Sequence, residues 1–333
     1  MMKAIFITTI KRHYETVYTS EIKSYLEKDL DFVEPLFDLA ELDSRKDELN
    51  GVEVIFSTWG MPSLSKEQIA KYFSKVKALF YGAGTVQSFA RPFLQSGVEI
   101  FSAWAANAVP VAEFTVAQII LANKGYFKTF HRYTNETWEN KDKKNDIIGN
   151  YGSTVGLVGI GMIGSLVAKM LKAYNFRVLA YDPFLPQERA DELEIKLCSL
   201  EELFSESAVI SNHLANNAQT VGMLNGKLFD LMKPNASFIN TGRGAQVVEK
   251  DLIKALKDDP SRTALLDVTM PEPPEKDSEL YKLPNVFLSP HIAGSLGNEV
   301  ARMGEYMAQE YTRWIKGEKC LWQVTEKMLE TMA

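Results

Sequence analysis

Cysteine is nearly missing from this chain. Its 333 residues include only Cys198 and Cys320, which stand far apart and fall in no metal-ligand spacing. That excludes a disulfide scaffold and suits a reducing compartment in which both thiols are inert. Positive charge is not in excess either: the net charge is -6, so there is no general electrostatic reason to bind nucleic acid or an anionic membrane. The basic run "NKDKKND" is interleaved with acids and reads as a solvated face. Long hydrophobic runs are lacking too. The apolar part of "MMKAIFITTIKRH" is too brief for a secretory core and has no small-residue cleavage site behind it, so it reads as a first buried strand. "AVPVAEFTVAQIILAN" carries Glu113 and Gln118 and falls short of the roughly 20 residues a membrane span needs. These absences lead to the expectation of a cytoplasmic protein with no nucleic-acid or membrane partner.

What is present is ordinary globular composition, 46% apolar and 24% charged, in a chain long enough for about two domains. The first hundred residues alternate β-type runs ("AIFITTI", "VEVIFST", "VKALFYG", "VEIFSAW") with helical patterns such as "SKEQIAKYF". A long helical pattern follows from about Val109 to Lys124, then a polar arm. A second alternating series begins at Thr154, with "TVGLVG", "RVLAYD", "AVISNH", "ASFINTG", "TALLDV" and "VFLSPH" as strand candidates. Such alternation predicts βαβ units, because parallel strands need crossover connections. The chain closes on "NEVARMGEYMAQEYTRWIKG", whose apolar positions recur at helical spacing and read as core, Trp314 included.

Between the strand "STVGLV" and the helix "MIGSLVAKMLKAY" stand Gly159, Gly161 and Gly164. Gly159 permits a tight turn, Gly161 lets the backbone approach a phosphate, and Gly164 allows close helix–strand packing. The turn residues up to Met162 and Ile163, at the start of the helix, are therefore expected to bind a dinucleotide pyrophosphate. The next strand ends in Asp182, at the interval expected of a ribose-binding acid. Its carboxylate accepts from both ribose hydroxyls and repels a 2′-phosphate, so the expected cofactor is NAD rather than NADP. A doubly wound fold without cofactor is the plain alternative.

Three later strand ends carry the reactive residue types. "INTGRGAQVVEKDL" places Arg243 in a glycine-flanked loop, "LLDVTMPEPPE" places Glu272 between prolines, and "LSPHIAGS" places His291. All three are expected at the carboxyl edge of a parallel sheet, where open α/β proteins bind ligands.

These segments resemble the D-isomer-specific 2-hydroxyacid dehydrogenase family: "NTGRG", "DVTMPEP" and "SPHIAG" are similar to its arginine, glutamate and histidine signatures. The resemblance implies that Arg243, Glu272 and His291 are catalytic. It implies that the "YGAGT" loop holds the substrate carboxylate on the amides of Ala83 and Gly84, that His213 and Thr220 lie on the adenine side, and that Thr241 and Asp267 meet the nicotinamide amide. It implies two doubly wound parallel-sheet domains, a Rossmann NAD-binding domain at 105–296 inserted into a flavodoxin-like substrate domain made of 1–104 and 297–333. Residues 126–150 are implied to build a homodimer. The reaction implied is interconversion of a 2-oxo acid and a D-2-hydroxy acid, of the glyoxylate or hydroxypyruvate type. The alternative is a non-enzymatic NAD-sensing protein of the corepressor type. Glu272 stands where formate dehydrogenases resemble a glutamine pattern and argues against that activity. Two local departures are "TVQ" at Thr85–Gln87, where the family often has Asp or Asn, and "LANN" after His213, where it usually has a proline. Trp59, Met61 and Tyr81 are the candidates for setting substrate choice, with a packing role as the other reading of Trp59.

Overall fold

The structure, a computed structural model, describes residues 1–129 and 147–330. Most of the arm expected at a dimer interface, 126–150, therefore lies outside the described residues. Internal contacts divide the chain into two units, Met1–Asn107 with Ser295–Ala333, and Ala108–Gly294. Each contains one sheet, and the strands are numbered here in chain order.

The first unit holds β1 (Met2–Ile7), β2 (Leu30–Phe32), β3 (Val54–Ser57), β4 (Ala78–Tyr81) and β5 (Glu99–Ser102), all parallel, in the order β5-β4-β3-β1-β2. The second unit holds β6 (Thr154–Val158), β7 (Arg177–Tyr181), β8 (Lys196–Leu197), β9 (Val209–Asn212), β10 (Ser237–Asn240), β11 (Thr263–Leu266) and β12 (Val286–Leu288), in the parallel order β12-β11-β10-β9-β6-β7-β8. A short last strand, β13 (Gln323–Val324), returns to the first sheet and pairs antiparallel with β5. The fold is thus two parallel-sheet α/β units, as the alternation predicts. Strands covered by helices on both faces lose the in–out alternation of a half-solvated sheet, which is why they read as continuous apolar runs.

The first core is organised by a row of aromatic rings. Phe6, Phe56, Phe80 and Phe101 are register partners on β1, β3, β4 and β5, and the last three rings stack with centroids 5.2 and 4.8 Å apart. The closing helix Val300–Ile315 lays Tyr311 edge-on against Phe56 and Phe80 at 5.8 Å, and its Trp314 meets Phe80 at 6.0 Å. Trp314 is core, as its spacing indicates.

The long apolar helix departs from its expected length. It runs from Trp104 to Asn123, 20 residues, because the apolar face begins five residues before Val109. By length and composition it matches a membrane span, yet half of its most apolar window is buried within the protein. Burial pushes the pKa of both thiols up, Cys320 to about 11; both stay protonated near neutral pH and are poor nucleophiles.

Candidate active site

The glycine turn follows β6 and opens the helix Met162–Leu171. Gly159 has φ +90°, and a Cβ on it would lie 2.9 Å from the His213 carbonyl oxygen. A Cβ on Gly164 would lie 2.1 Å from the Gly159 carbonyl oxygen, so the helix touches the turn backbone to backbone. Gly161 differs: nothing stands within 4 Å of a Cβ placed there. It is also the N-cap of a ten-residue helix and offers no side-chain cap to its orphan N–H groups. Two needs for glycine are internal to the fold, and the third faces open space at a positive helix end. That pattern fits a dinucleotide pyrophosphate. Met162 is 39% exposed and Ile163 partly buried at the same helix start.

Asp182, one residue beyond β7, points its carboxylate back to this turn. Its Oδ2 accepts from the Ile160 N–H at 2.8 Å, and its Oδ1 accepts from the Phe184 N–H at 2.9 Å. The acid expected at the ribose also fastens the glycine turn.

His213 follows β9, beside Gly159. Its ring is buried with neither nitrogen hydrogen-bonded among the described residues, and burial pulls its pKa down to about 3, so it is neutral at ordinary pH. Thr220 is turned into its own loop: its hydroxyl donates to Ala215 O at 2.7 Å and accepts from Asn217 N–H at 3.1 Å. Asn217 Oδ1 accepts from the N–H groups of Gln219 and Thr220 at 2.9 and 3.2 Å. An Asx turn therefore shapes the segment in which the usual proline is missing. The Thr241 hydroxyl is buried against that of Thr115 at 3.2 Å.

The three reactive residues follow the adjacent strands β10, β11 and β12. Glu272 and His291 meet: Oε1 and Nδ1 are 2.6 Å apart, with both side chains a little under half exposed. Arg243 is partly buried, and among the described residues its only side-chain hydrogen bond is from Nη1 to the neighbouring Gly242 O, 2.7 Å. Most of its guanidinium fork is free for a ligand. Gly244 brings the arginine and glutamate loops together, since a Cβ there would lie 2.0 Å from the Thr269 carbonyl carbon.

Sequence reasoning assigned Asp267 to the cofactor and missed a second role. The Asp267 carboxylate is buried and accepts from the Ser289 hydroxyl at 2.6 Å and from the Ile292 and Ala293 N–H groups at 2.9 Å each. These bonds hold the loop that presents His291, whose φ of +54° is left-handed; such a conformation costs roughly 1–2 kcal/mol and persists only where its surroundings enforce it. The His291 N–H also donates to Asp267 O at 3.0 Å. Nothing in the local pattern announces this brace, because donors and acceptor lie on different strands.

In the first unit the Ala83 N–H donates to Tyr81 O at 2.8 Å, whereas the next amide, Gly84, has no backbone acceptor among the described residues. Met61 and Tyr81 are buried in that unit's core. Trp59 is partly exposed and packs edge-on against His13, ring centroids 5.1 Å apart, a contact the sequence did not suggest.

Residues 116–293, just over half of the chain, match the family model described as "D-isomer specific 2-hydroxyacid dehydrogenase, NAD binding domain". The chain belongs to the D-isomer-specific 2-hydroxyacid dehydrogenase family. It is 34% identical over 223 residues to a D-3-phosphoglycerate dehydrogenase of Archaeoglobus fulgidus, covering 67% of this chain and 42% of that protein. It is 33% identical over 238 residues to a putative 2-hydroxyacid dehydrogenase of Bacillus subtilis, covering 68% and 66%. The chain thus spans about two fifths to two thirds of the length of these relatives. Among solved structures, a phosphoglycerate oxidoreductase from Rhizobium etli superposes with TM-score 0.82 at 21% identity, covering 99% of this chain and 100% of that one. The NAD-complexed D-isomer-specific 2-hydroxyacid dehydrogenase of Lactobacillus delbrueckii ssp. bulgaricus gives 0.76 at 22%, covering 97% and 100%. These likenesses establish the fold, and the family match makes the second unit its NAD-binding domain.

Proposed function

We propose that the protein is an NADH-dependent reductase of small 2-oxo acids, interconverting them with D-2-hydroxy acids, of the glyoxylate or hydroxypyruvate type. The observation that carries the reading is the 2.6 Å Glu272–His291 bond on strand ends next to an arginine with a free fork. The nicotinamide, when bound, supplies a hydride to the carbonyl carbon. Arg243 grips the carboxylate and the carbonyl oxygen through parallel N–H groups, a geometry that lysine does not reproduce. His291 donates the Nε2 proton to that oxygen as negative charge develops on it, while Glu272 holds the Nδ1 proton and so fixes ring and tautomer. In the oxidative direction the same nitrogen takes the proton back. Gly84 adds a backbone donor for the carboxylate, with Ala83 as its neighbour in the loop. Met162 and Ile163 N–H groups, with Gly161, receive the pyrophosphate; Asp182 receives the ribose and selects NAD over NADP; His213, Thr220, Thr241 and Asp267 line the remaining cofactor surface. A homodimer in the cytoplasm completes the reading.

A phosphorylated 3-carbon acid is the second reading, favoured by the names of the phosphoglycerate dehydrogenase relatives. The test is NADH consumption with a panel containing glyoxylate, hydroxypyruvate, pyruvate and 3-phosphohydroxypyruvate, for the wild type and His291→Ala. We expect turnover on the unphosphorylated acids and a loss on the order of a hundred- to ten-thousand-fold in the variant, the range of a positioned acid. NADH consumption with none of the four, or full activity in His291→Ala, would overturn the assignment.

A further inference from the structure

The carboxyl ends of β9 and β10 hide three carboxamides, Asn212, Asn240 and Gln246, each no more than 1% exposed. They bond to one another: Asn212 Nδ2 donates to Asn240 Oδ1 at 3.0 Å and to Gln246 Oε1 at 2.6 Å. Their remaining atoms reach the main chain of two loops. Asn240 Oδ1 accepts from the Gly242 N–H at 3.1 Å, and Asn240 Nδ2 donates to Arg243 O at 3.1 Å. Gln246 Oε1 accepts from the Arg243 N–H at 3.2 Å. On the other side Gln246 Nε2 donates to Leu214 O at 2.7 Å, and Asn212 Oδ1 accepts from the Leu214 N–H at 3.2 Å.

The orientation of every amide is dictated by the backbone. Turning Asn212, Asn240 or Gln246 over would set an NH2 group against a main-chain N–H, and all three flips are excluded by the same donor–acceptor inventory. A cluster of this kind has one low-energy arrangement, and it specifies the loops it holds. Room for it comes from Gly242, where a Cβ would fall 2.9 Å from Gln246 Oε1 and 3.0 Å from Asn212 Nδ2.

We propose that Asn212, Asn240 and Gln246 are positioning residues that lock the backbone of the substrate-binding Arg243 to the cofactor-side segment at Leu214. Arg243 is held by both its N–H and its C=O, and the residue next to His213 is held by both of its own. A displacement of the cofactor-side loop is thereby transmitted to the guanidinium that grips substrate. The role given to Arg243 rests on the reductase reading, whereas the locking of the two loops does not.

Two measurements test the proposal. In the wild type, hydrogen exchange should show the amides of Leu214, Gly242 and Arg243 protected as strongly as those of β10, although they lie outside regular structure. Rapid exchange there would overturn the lock, whatever the protein catalyses. In kinetics, Gln246→Leu removes both acceptor bonds, and kcat/KM for the 2-oxo acid should fall roughly ten- to a hundredfold, chiefly through KM. Gln246→Glu keeps an oxygen for the Arg243 N–H and for Asn212 but sets a second oxygen against Leu214 O, so KM should recover only part of the way to wild type while the Leu214 amide loses exchange protection. A Gln246→Leu enzyme with unchanged KM, or two variants equally impaired, would overturn the positioning role. Where Gln246→Leu does not fold, Gln246→Met takes its place under the same criteria. A wild type inactive on every 2-oxo acid but protected at these amides would defeat the reductase reading and leave the lock standing.

Discussion

His213 illustrates how one buried side chain ties stability to pH. With its ring enclosed and both nitrogens without partners among the described residues, its pKa falls to about 3 from the ordinary 6.5. Between those values the unfolded chain binds a proton that the folded chain refuses, so the unfolded state binds more protons and stability rises with pH. The contribution is fully present above pH 6.5 and is lost progressively as pH falls toward 3. From one such group the limiting slope is about 1.4 kcal/mol per pH unit. Urea denaturation of the wild type and of His213→Leu at pH 7 and pH 5 checks this. The wild type should lose roughly 2 kcal/mol more than the variant over that interval, carboxylate effects being common to both. Equal losses would mean that the ring is solvated or hydrogen-bonded. Nucleotide bound to the folded state should add to its stability by mass action, so the comparison belongs to protein free of nucleotide.

At the scale of the element, the glycine turn separates folding from binding within six residues. Gly164→Ala drives a methyl to within 2.1 Å of the Gly159 carbonyl oxygen, and the helix Met162–Leu171 must move off the turn. A thermal unfolding scan should register a clear loss, in the 1–3 kcal/mol range typical of overpacking. Gly161→Ala meets nothing within 4 Å, so the same scan should barely change, yet NADH affinity measured by fluorescence should fall because the methyl occupies the approach to the helix N-terminus. Unaltered NADH affinity in Gly161→Ala would remove the pyrophosphate from this turn. The turn itself was legible in the sequence because strand, glycine spacing and helix are contiguous, and a contiguous pattern needs no tertiary information. The reactive strand ends were legible for the same reason, each being a buried run that breaks at a polar residue. The devices that hold them were not. Asp267 with Ala293, and Asn212 with Gln246, are 26 and 34 residues apart, and a polar residue at a strand end reads as surface until its partners are known. Thr220 has a local role the pattern did not announce either, its hydroxyl being bonded within its own loop.

At the scale of the molecule, the first unit is assembled from both ends of the chain, so its sheet is complete only once the last residues return. Glu310 secures that return. Its carboxylate is fully buried beneath the closing helix and accepts from the Leu321 N–H, at 2.6 Å to one oxygen and 3.0 Å to the other, and from the Trp322 N–H at 3.2 Å. Arg313 Nη1 adds a charged donor at 3.3 Å. The stretch Leu321–Trp322 leads directly into β13, which pairs with β5, and Trp314 and Gln323 both bond Glu99 on that strand. On a helical wheel Glu310 is one more acid in a charged helix; only the returning chain reveals that it faces inward. Glu310→Gln keeps the shape but opposes an NH2 group to the Leu321 N–H and removes the negative charge facing Arg313. The variant should lose about 1–3 kcal/mol, the cost of leaving buried donors unmatched. Because four of the five tryptophans, Trp59, Trp104, Trp314 and Trp322, lie in the first unit, intrinsic fluorescence chiefly follows its unfolding. The denaturation midpoint read that way should fall in Glu310→Gln and fall further in Glu310→Ala, where Arg313 is stranded as well. A midpoint unmoved in both variants would mean that the packing of Tyr311 and Trp314 on the phenylalanine row alone holds the chain's end in place.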